Sequence, residues 1–594
     1  MRITTGKLDR TLRHWRLGPR LLRLLRLRIW LFDRFRFTDV QQILFWAGIV
    51  GVAGGFSSLL LRDAMGYLHQ LLTGQSGELV ESFARLGTWQ RLAIPSAGAV
   101  AAGIVIHFGR RLRTDGTTTD YMEAVALGTG VLSVRSSVVK VVSSAFSVAS
   151  GASIGREGPI VQLASLVSSL PGRLRSWSPP RRRVIVACGA AAGIASAYNA
   201  PIAGALFVSE IMLKSIAMET LGPLVFSSVL ATQVVRQVHG HEPLYTIPPF
   251  TMASGWELVL YLVLGVVCGL LAPVFLRLLR GSERLFGSLR MPPFVSLGLG
   301  GLAVGAIAVR YPEVCGNGYS VIVSILNDAW VWQALLAVLA LKVAATCASF
   351  GSGAVGGVFT PTLFAGAGIG YLFGGACDTL LAGAGSNPGA YALVGMGMFI
   401  AATTRAPLTA ILIVFEMTLD YQVVVPLMLG CVVAYYTSTA IDPRSIYSHS
   451  LARKTGPEVR RQIASLLVSD LMKAEVIVVR LGSHFSEIAR SFIANNIKYL
   501  YVLDDADVFR GVVPLQETKS YLTEPHLADV VIAHDIMQEE FPILYPDSTL
   551  DEALETFARH DGERLPVVER ETRQLLGRVA KADVLFALAH RQAS

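Results

Sequence analysis

Residues Val343–Cys377 read VAATCASFGSGAVGGVFTPTLFAGAGIGYLFGGAC, 35 residues without one Asp, Glu, Lys or Arg. About 20 apolar residues suffice to cross a bilayer, so the stretch is long enough to span. It holds too much glycine for one continuous helix and is too apolar for a loop in water. The reading is therefore helices broken by a glycine turn at membrane depth. Irregular backbone survives there only where protein or a water-filled cavity satisfies its N–H and C=O groups, which makes such a break a pointer to a substrate pathway. A glycine-rich helix-packing face is the alternative.

The composition places this stretch in a membrane body. Of 594 residues, 52% are hydrophobic and 16% charged, against roughly 25% charged in an average soluble domain. The mean hydropathy is +0.50. Phe37–Val468 holds 48 charged residues in 432, whereas Ser469–Ser594 holds 34 in 126, so the body carries a soluble tail. Further uncharged spans are Val40–Leu61, Leu258–Leu276, Met291–Val309 and Tyr421–Ile441. A secreted enzyme, a single-pass receptor and a disordered chain are excluded. Residues 1–36 carry 11 Lys or Arg against Asp9 and Asp33. Interleaved with Leu and aromatics just before the first span, they read as a positive-inside segment held in the cytoplasm, with no signal peptide and no role in nucleic-acid binding. The six cysteines all lie in the body without a CxxC pair and read as core residues, neither metal site nor disulfide framework.

Two internal repeats organise the chain. APIAGALFVSE (Ala200–Glu210) and APLTAILIVFE (Ala406–Glu416) match at an offset of 206, and Gly189 falls on Gly395 at the same offset. Repeated halves with interrupted hydrophobic segments suit a transporter whose site lies at the repeat interface; the repeat by itself leaves parallel and inverted topologies open. In the tail, Ser469-Asp-Leu-Met472 and His534-Asp-Ile-Met537 stand 65 apart. Each is followed by an amphipathic helix (Phe485–Asn495, Thr549–His560) and strands (Lys498–Leu503, Arg564–Glu569, then Gly511 and Gly577 onward).

Three pieces of the body carry candidate chemistry. Gly151–Ile160 (GASIGREGPI) is a glycine turn entering an apolar helix with Pro159 in its first turn, and free N–H groups plus the helix dipole make an anion seat there. Glu157 sits in that seat, either as a cap or as a tethered competitor that protonation would release. Gly356–Pro361 (GGVFTP) repeats the device and offers the N–H groups of Val358 and Phe359, neutral donors suited to an ion that must also leave. Tyr447, just past the last span, could donate a phenol hydrogen bond to a desolvated ion or serve as an interfacial tyrosine.

Together, GREGP (Gly155–Pro159), GVFTP (Gly357–Pro361) and the late Tyr447 resemble, in order, the signatures of the CLC family of chloride channels and chloride/proton antiporters. The likeness runs from about Phe37 to Ala452. Thr119–Ala124, Cys188–Gly193, Gly316–Ser320 and Asp442–Tyr447 look most like the bacterial ClcB branch. The tail resembles a tandem pair of CBS domains, the α/β units that pack as a Bateman module. The resemblance implies an all-α polytopic membrane domain of two inverted repeats with broken helices, and a homodimer with one pore per subunit. It places the protein in the bacterial inner membrane with both termini cytoplasmic. The expected organisation is a basic segment (1–36), the transmembrane domain (37–452), a linker (453–468) and CBS domains at 469–530 and 531–594. It implies Glu157 as the gate, and Gly155, Arg156, Val358, Phe359 and Tyr447 as the chloride-binding set. Protons would travel by Glu157 and Glu210. Gly577, Lys581 and Asp583 look like a nucleotide-contact segment for an adenine nucleotide; a module that only packs and dimerises is the alternative. No other cofactor and no metal is expected.

Two departures from the family pattern stand out. Asp115–Asp120 (DGTTTD) replaces the serine-bearing GSGIP, putting Gly116 at the serine position of the chloride-binding set; Thr117 or Thr118 could supply the hydroxyl after a small backbone shift, and otherwise water or a backbone N–H takes its place. After Glu210 comes Ile211, where antiporter relatives have the internal proton-accepting glutamate. Glu210 could serve from one residue away, or instead pair with Lys214 or Arg182. Lys342, like His107 and Lys140, reads as a snorkelling side chain. The resulting expectation is chloride transport, by proton-coupled exchange or a voltage-gated channel, with chloride, protons and lipid as partners. A fluoride/proton antiporter and a CBS-regulated divalent-cation channel are the alternatives. An intramembrane enzyme is disfavoured because HExxH, paired membrane aspartates and GxSxG are missing from the body.

Overall fold

The computed structural model describes residues 39–110, 120–126, 129–174, 177–240, 243–245, 247, 250, 255–380, 387–447, 467–495, 497–515, 518, 530–558, 563–581, 583 and 584. They form two compact units, one ending at Tyr447 and one following it.

The first unit is helical. Its first half comprises α1 (Asp39–Thr73), α2 (Leu79–Arg85), α3 (Thr88–Arg110), α4 (Tyr121–Ala126), α5 (Val134–Ala149), α6 (Glu157–Leu174), α7 (Pro179–Tyr198), α8 (Pro201–Phe207) with a π-turn at Val208–Leu213, and α9 (Met218–His239). The second half repeats the order from α10 (Glu257–Ser288) through α11 (Pro293–Ala308), α12 (Tyr319–Asn327), α13 (Trp332–Gly351), α14 (Phe359–Leu380), α15 (Pro388–Thr404), α16 (Pro407–Thr418) and α17 (Val424–Ile441). Among the described residues seven helices are long and apolar enough to cross a membrane. The glycine-rich stretch does break: α13 ends at Gly351, Gly353 turns with φ 97°, and α14 starts at Phe359.

The repeat is visible in local geometry. α7 ends on Asn199 and α15 on Arg405, both left-handed (φ 56° and 65°), and each is followed by Ala-Pro opening the next helix. A left-handed residue stops a helix, and proline at a first helical position sacrifices no hydrogen bond. The matched glycines do matched work. A Cβ on Gly395 would lie 2.5 Å from the Gly366 oxygen of α14, and one on Gly189 would lie 2.8 Å from the Ala164 oxygen of α6. Each half therefore packs its two central helices backbone to backbone, the use of small residues that membrane helices favour.

The two halves also hold each other reciprocally. Glu210 accepts hydrogen bonds from Leu408 N (3.2 Å), Thr409 N (2.8 Å) and Thr409 Oγ1 (2.7 Å) at the start of α16. Its repeat counterpart Glu416 accepts from Ile202 N (3.0 Å) and Ala203 N (2.7 Å) at the start of α8. Contacts in which i meets j′ while i′ meets j are those of a two-fold relation between the segments. A carboxylate also suits a helix start, where N–H groups lack intrahelical acceptors.

The second unit is α/β. β1 (Val478–Arg480) runs parallel to β2 (Tyr499–Leu503), which pairs antiparallel with β3 (Phe509–Pro514), and β4 (Arg564–Val568) pairs antiparallel with β5 (Leu575–Ala580). Helices α18 (Phe485–Ala494), α19 (Ala533–Ile536) and α20 (Leu550–Ala558) accompany them. The periodicity of the tail placed β2, β4, α18 and α20 within two residues of these bounds. The apolar faces of α18 and α20 turn Phe485, Ile488 and Phe492, and Leu550, Ala553 and Phe557, into two separate cores.

Candidate functional site

Two glycine turns meet at the centre of the first unit. Gly155 N donates to Gly357 O (2.7 Å) and Gly357 N to Gly155 O (2.9 Å), a reciprocal bridge that sets the starts of α6 and α14 side by side. Glu157 opens α6 and Phe359 opens α14. Thr362 N donates to Val358 O, so the N–H groups of Val358 and Phe359 precede the first intrahelical acceptor and are free by position to serve a ligand. Both side chains are buried.

Glu157 is 5% exposed and lies between the two turns. Its Oε1 accepts from Thr360 Oγ1 (2.5 Å) and Tyr319 Oη (3.3 Å). Its Oε2 has no hydrogen-bond partner among the described residues and rests against the bridge, where a Cβ on Gly155 would come within 1.7 Å of it. Gly155 is thus required for room, and its N–H is committed to Gly357. The Arg156 guanidinium lies over the Tyr319 ring, 5.8 Å from its centroid.

Aromatic rings continue from this point. Phe359 meets Tyr198 (centroids 5.1 Å apart) and Phe207 (6.1 Å), and Phe207 meets Tyr447 edge-on (5.6 Å). Tyr447 is placed by its own segment. Ile446 N donates to Thr403 O, and buried Asp442 accepts from Arg280 (2.6 Å) and Arg444 (2.9 Å). Val358, Phe359, Glu157 and Tyr447 are therefore brought together. Gly116, Thr117 and Thr118 lie outside the described residues.

Two polar side chains behave differently from the sequence reading. Lys342 does not snorkel: it is 1% exposed, and its Nζ donates to Val314 O (2.9 Å) and Gly316 O (2.8 Å). The tight turn before α12 leaves those carbonyls pointing inward, and an ammonium satisfies both. Glu210 pairs with neither Lys214 nor Arg182, because the N–H groups opening α16 already occupy its carboxylate. Tyr319, Thr360 and Tyr198 escaped the sequence reading; the only signal was position, next to glycine turns for the first two and at a helix end for the third.

In the second unit, Ile477, Lys498, Tyr499, Tyr501, Arg564 and Arg578 line a cavity of about 290 Å³ together with Ile497 and Glu563. Asp583 is ion-paired with Lys473 (2.8 Å), Lys581 Nζ donates to Phe557 O (3.3 Å), and Gly577 packs on Met472. Among the described residues no group of His, Cys, Asp and Glu could hold a metal ion.

A helical body with paired broken helices whose two helix starts meet across the repeat is the architecture of a polytopic ion-transport protein. Residues 97–439 match the family profile described as voltage gated chloride channel, and 468–523 and 532–590 match the CBS domain. The chain belongs to the voltage gated chloride channel (CLC) family and carries a CBS pair; it is a multi-pass membrane protein. It is 49% identical over 423 residues to a ClcB-like chloride channel protein of Ralstonia nicotianae, covering 70% of this chain and 99% of the relative. It is 36% identical over 412 residues to the voltage-gated ClC-type chloride channel ClcB of Escherichia coli, covering 68% and 98%. A crystal structure of a slow cyanobacterial Cl⁻/H⁺ antiporter superposes with a TM-score of 0.60 at 26% identity, covering 69% of this chain and 97% of that one.

Proposed function

We propose that this protein moves chloride across the bacterial inner membrane in exchange for protons, with Glu157 as the gate and Val358, Phe359 and Tyr447 as the central chloride ligands. The observation that carries the reading is the Glu157 carboxylate lodged between two facing helix starts, where an anion would otherwise sit. Neutral donors at a helix start favour an anion over a divalent cation, and the relatives' names favour chloride over fluoride. Exchange is preferred to a passive channel because an ionisable gate in the pathway can carry a proton when an anion displaces it. Liposomes bearing the full chain, given a chloride gradient and recorded for chloride and pH together, test this: chloride efflux with no opposing proton movement would refute exchange.

Tyr447→Ala weakens chloride binding in this reading. A phenol donated to a desolvated anion contributes about 1.5–3 kcal/mol, so affinity falls roughly tenfold or more while the fold persists. Calorimetric titration of chloride into the purified variant checks it, and an unchanged affinity removes Tyr447 from the ligand set.

The protein acts as a homodimer with both termini cytoplasmic. Outward apolar residues of α9 and α17, among them Phe226, Val229, Val425 and Met428, offer a face for a second copy. The tail binds an adenine nucleotide in the cleft bearing Tyr499, Tyr501, Arg564 and Arg578, two rings and two guanidinium groups suited to a base and phosphates. Because Asp583 is engaged by Lys473, nucleotide must displace that pair for the carboxylate to reach a ribose. Titrating AMP, ADP and ATP into the full-length protein is expected to raise its melting temperature, and Asp583→Ala to reduce the rise. A flat response at millimolar nucleotide leaves the module a packing element.

A further inference from the structure

The two oxygens of Glu157 stand in different surroundings. Oε1 receives two hydroxyls from separate elements, Thr360 on α14 and Tyr319 at the start of α12, whereas Oε2 meets only the glycine bridge. Tyr319 is delivered by a turn fixed at both ends. Lys342 of α13 holds the carbonyls of Val314 and Gly316, and Gly316 N donates to Gly151 O (3.2 Å) in the segment that leads into α6. The Arg156 guanidinium covers the Tyr319 ring. A buried lysine, a left-handed Gly318 (φ 94°) and a backbone tie thus converge on the placement of one phenol.

We infer that Tyr319 and Thr360 are positioning residues for the gate: their hydroxyls hold the Glu157 side chain in the pathway and set the proton concentration at which it leaves. The inference rests on the reading of Glu157 as the gate. Hydroxyl donors stabilise a carboxylate more than a carboxylic acid. Removing one makes protonation easier, so the side chain is released at a lower proton concentration and chloride movement rises at a higher pH. Arg156 is the charged side chain acting on Glu157, and the phenols of Tyr198, Tyr245, Tyr319 and Tyr447 are the other titratable groups in its electrostatic reach among the described residues. Thr360→Val conserves shape and leaves all of these residues in place, but the hydroxyl it removes also faces the Tyr198 and Tyr319 phenols, so Tyr319→Phe serves as the independent variant.

The test is chloride efflux from liposomes across pH for the full-length protein and for Thr360→Val, Thr360→Ser, Tyr319→Phe and Glu157→Ala, with the first and third also made in the Glu157→Ala background. Thr360→Val and Tyr319→Phe are each expected to move the half-activation pH upward by about one unit, Thr360→Ser to restore the parent profile, and neither change to matter once Glu157 is gone. Profiles of Thr360→Val and Tyr319→Phe that superimpose on the parent, while Glu157→Ala abolishes pH dependence, overturn the positioning role and leave the gate intact. A Glu157→Ala profile as steep as the parent's overturns the gate itself. Should Thr360→Val not assemble, Tyr319→Phe alone decides, since the aromatic ring and its Arg156 contact remain.

Discussion

Glu157→Gln is expected to abolish proton movement against a gradient while chloride still flows down its own. The amide oxygen can accept the Thr360 and Tyr319 hydroxyls as Oε1 does, so the side chain still fits. What disappears is the charge and the titratable oxygen beside Gly155 and Gly357. A neutral side chain competes poorly with an anion for helix-start N–H groups, and it has no proton to hand on. Recording pH and chloride together in liposomes distinguishes the cases, and a Gln variant that still drives protons uphill would falsify the gate assignment.

The second large effect is expected at the reciprocal carboxylates, where Glu416→Ala lowers thermal stability more than any single change on the lipid-facing surface. Glu416 is 8% exposed and supplies the acceptor for two N–H groups that open α8. Leaving those donors without an acceptor costs roughly 2–3 kcal/mol. Glu210→Ala should act in the same direction and less strongly, because Leu408 at its end of the exchange is exposed. The pair also tests the proton route. If Glu210 relays protons, Glu210→Gln cuts proton coupling and Glu416→Gln does not; equal coupling in both variants confines Glu210 to holding α16. Melting curves in detergent alongside the liposome recordings separate the two readings.

Much of the fold was legible in the sequence. The helix breaks were written in glycine and proline, the repeat in two near-identical segments, and the tail in helix and strand periodicities that the second unit reproduces. Val358, Phe359, Glu157 and Tyr447 could be singled out as candidates because each stands in or beside a local motif. What was illegible was who meets whom. Thr360 and Tyr319 reach Glu157 across 203 and 162 residues of chain, and no local pattern encodes such a meeting. Lys342 was misread because a lone lysine in an apolar run looks the same whether it snorkels or satisfies two buried carbonyls. Glu416 closed the second copy of the repeat in plain view. The symmetry of the two copies was sufficient to expect Glu416 to do for α8 what Glu210 does for α16.

The bridge between Gly155 and Gly357 has a consequence for how the molecule is made. Neither turn supplies its own partner, and the residues that bracket Glu157 come from segments some two hundred positions downstream. A ribosome that has delivered only the first repeat has therefore inserted helices but no pathway. Loops closed over such separations form late, after the local helices have settled. The bilayer is exposed to a conducting route only once both halves have been threaded and docked, so that leakiness during biogenesis is avoided by the order of assembly itself.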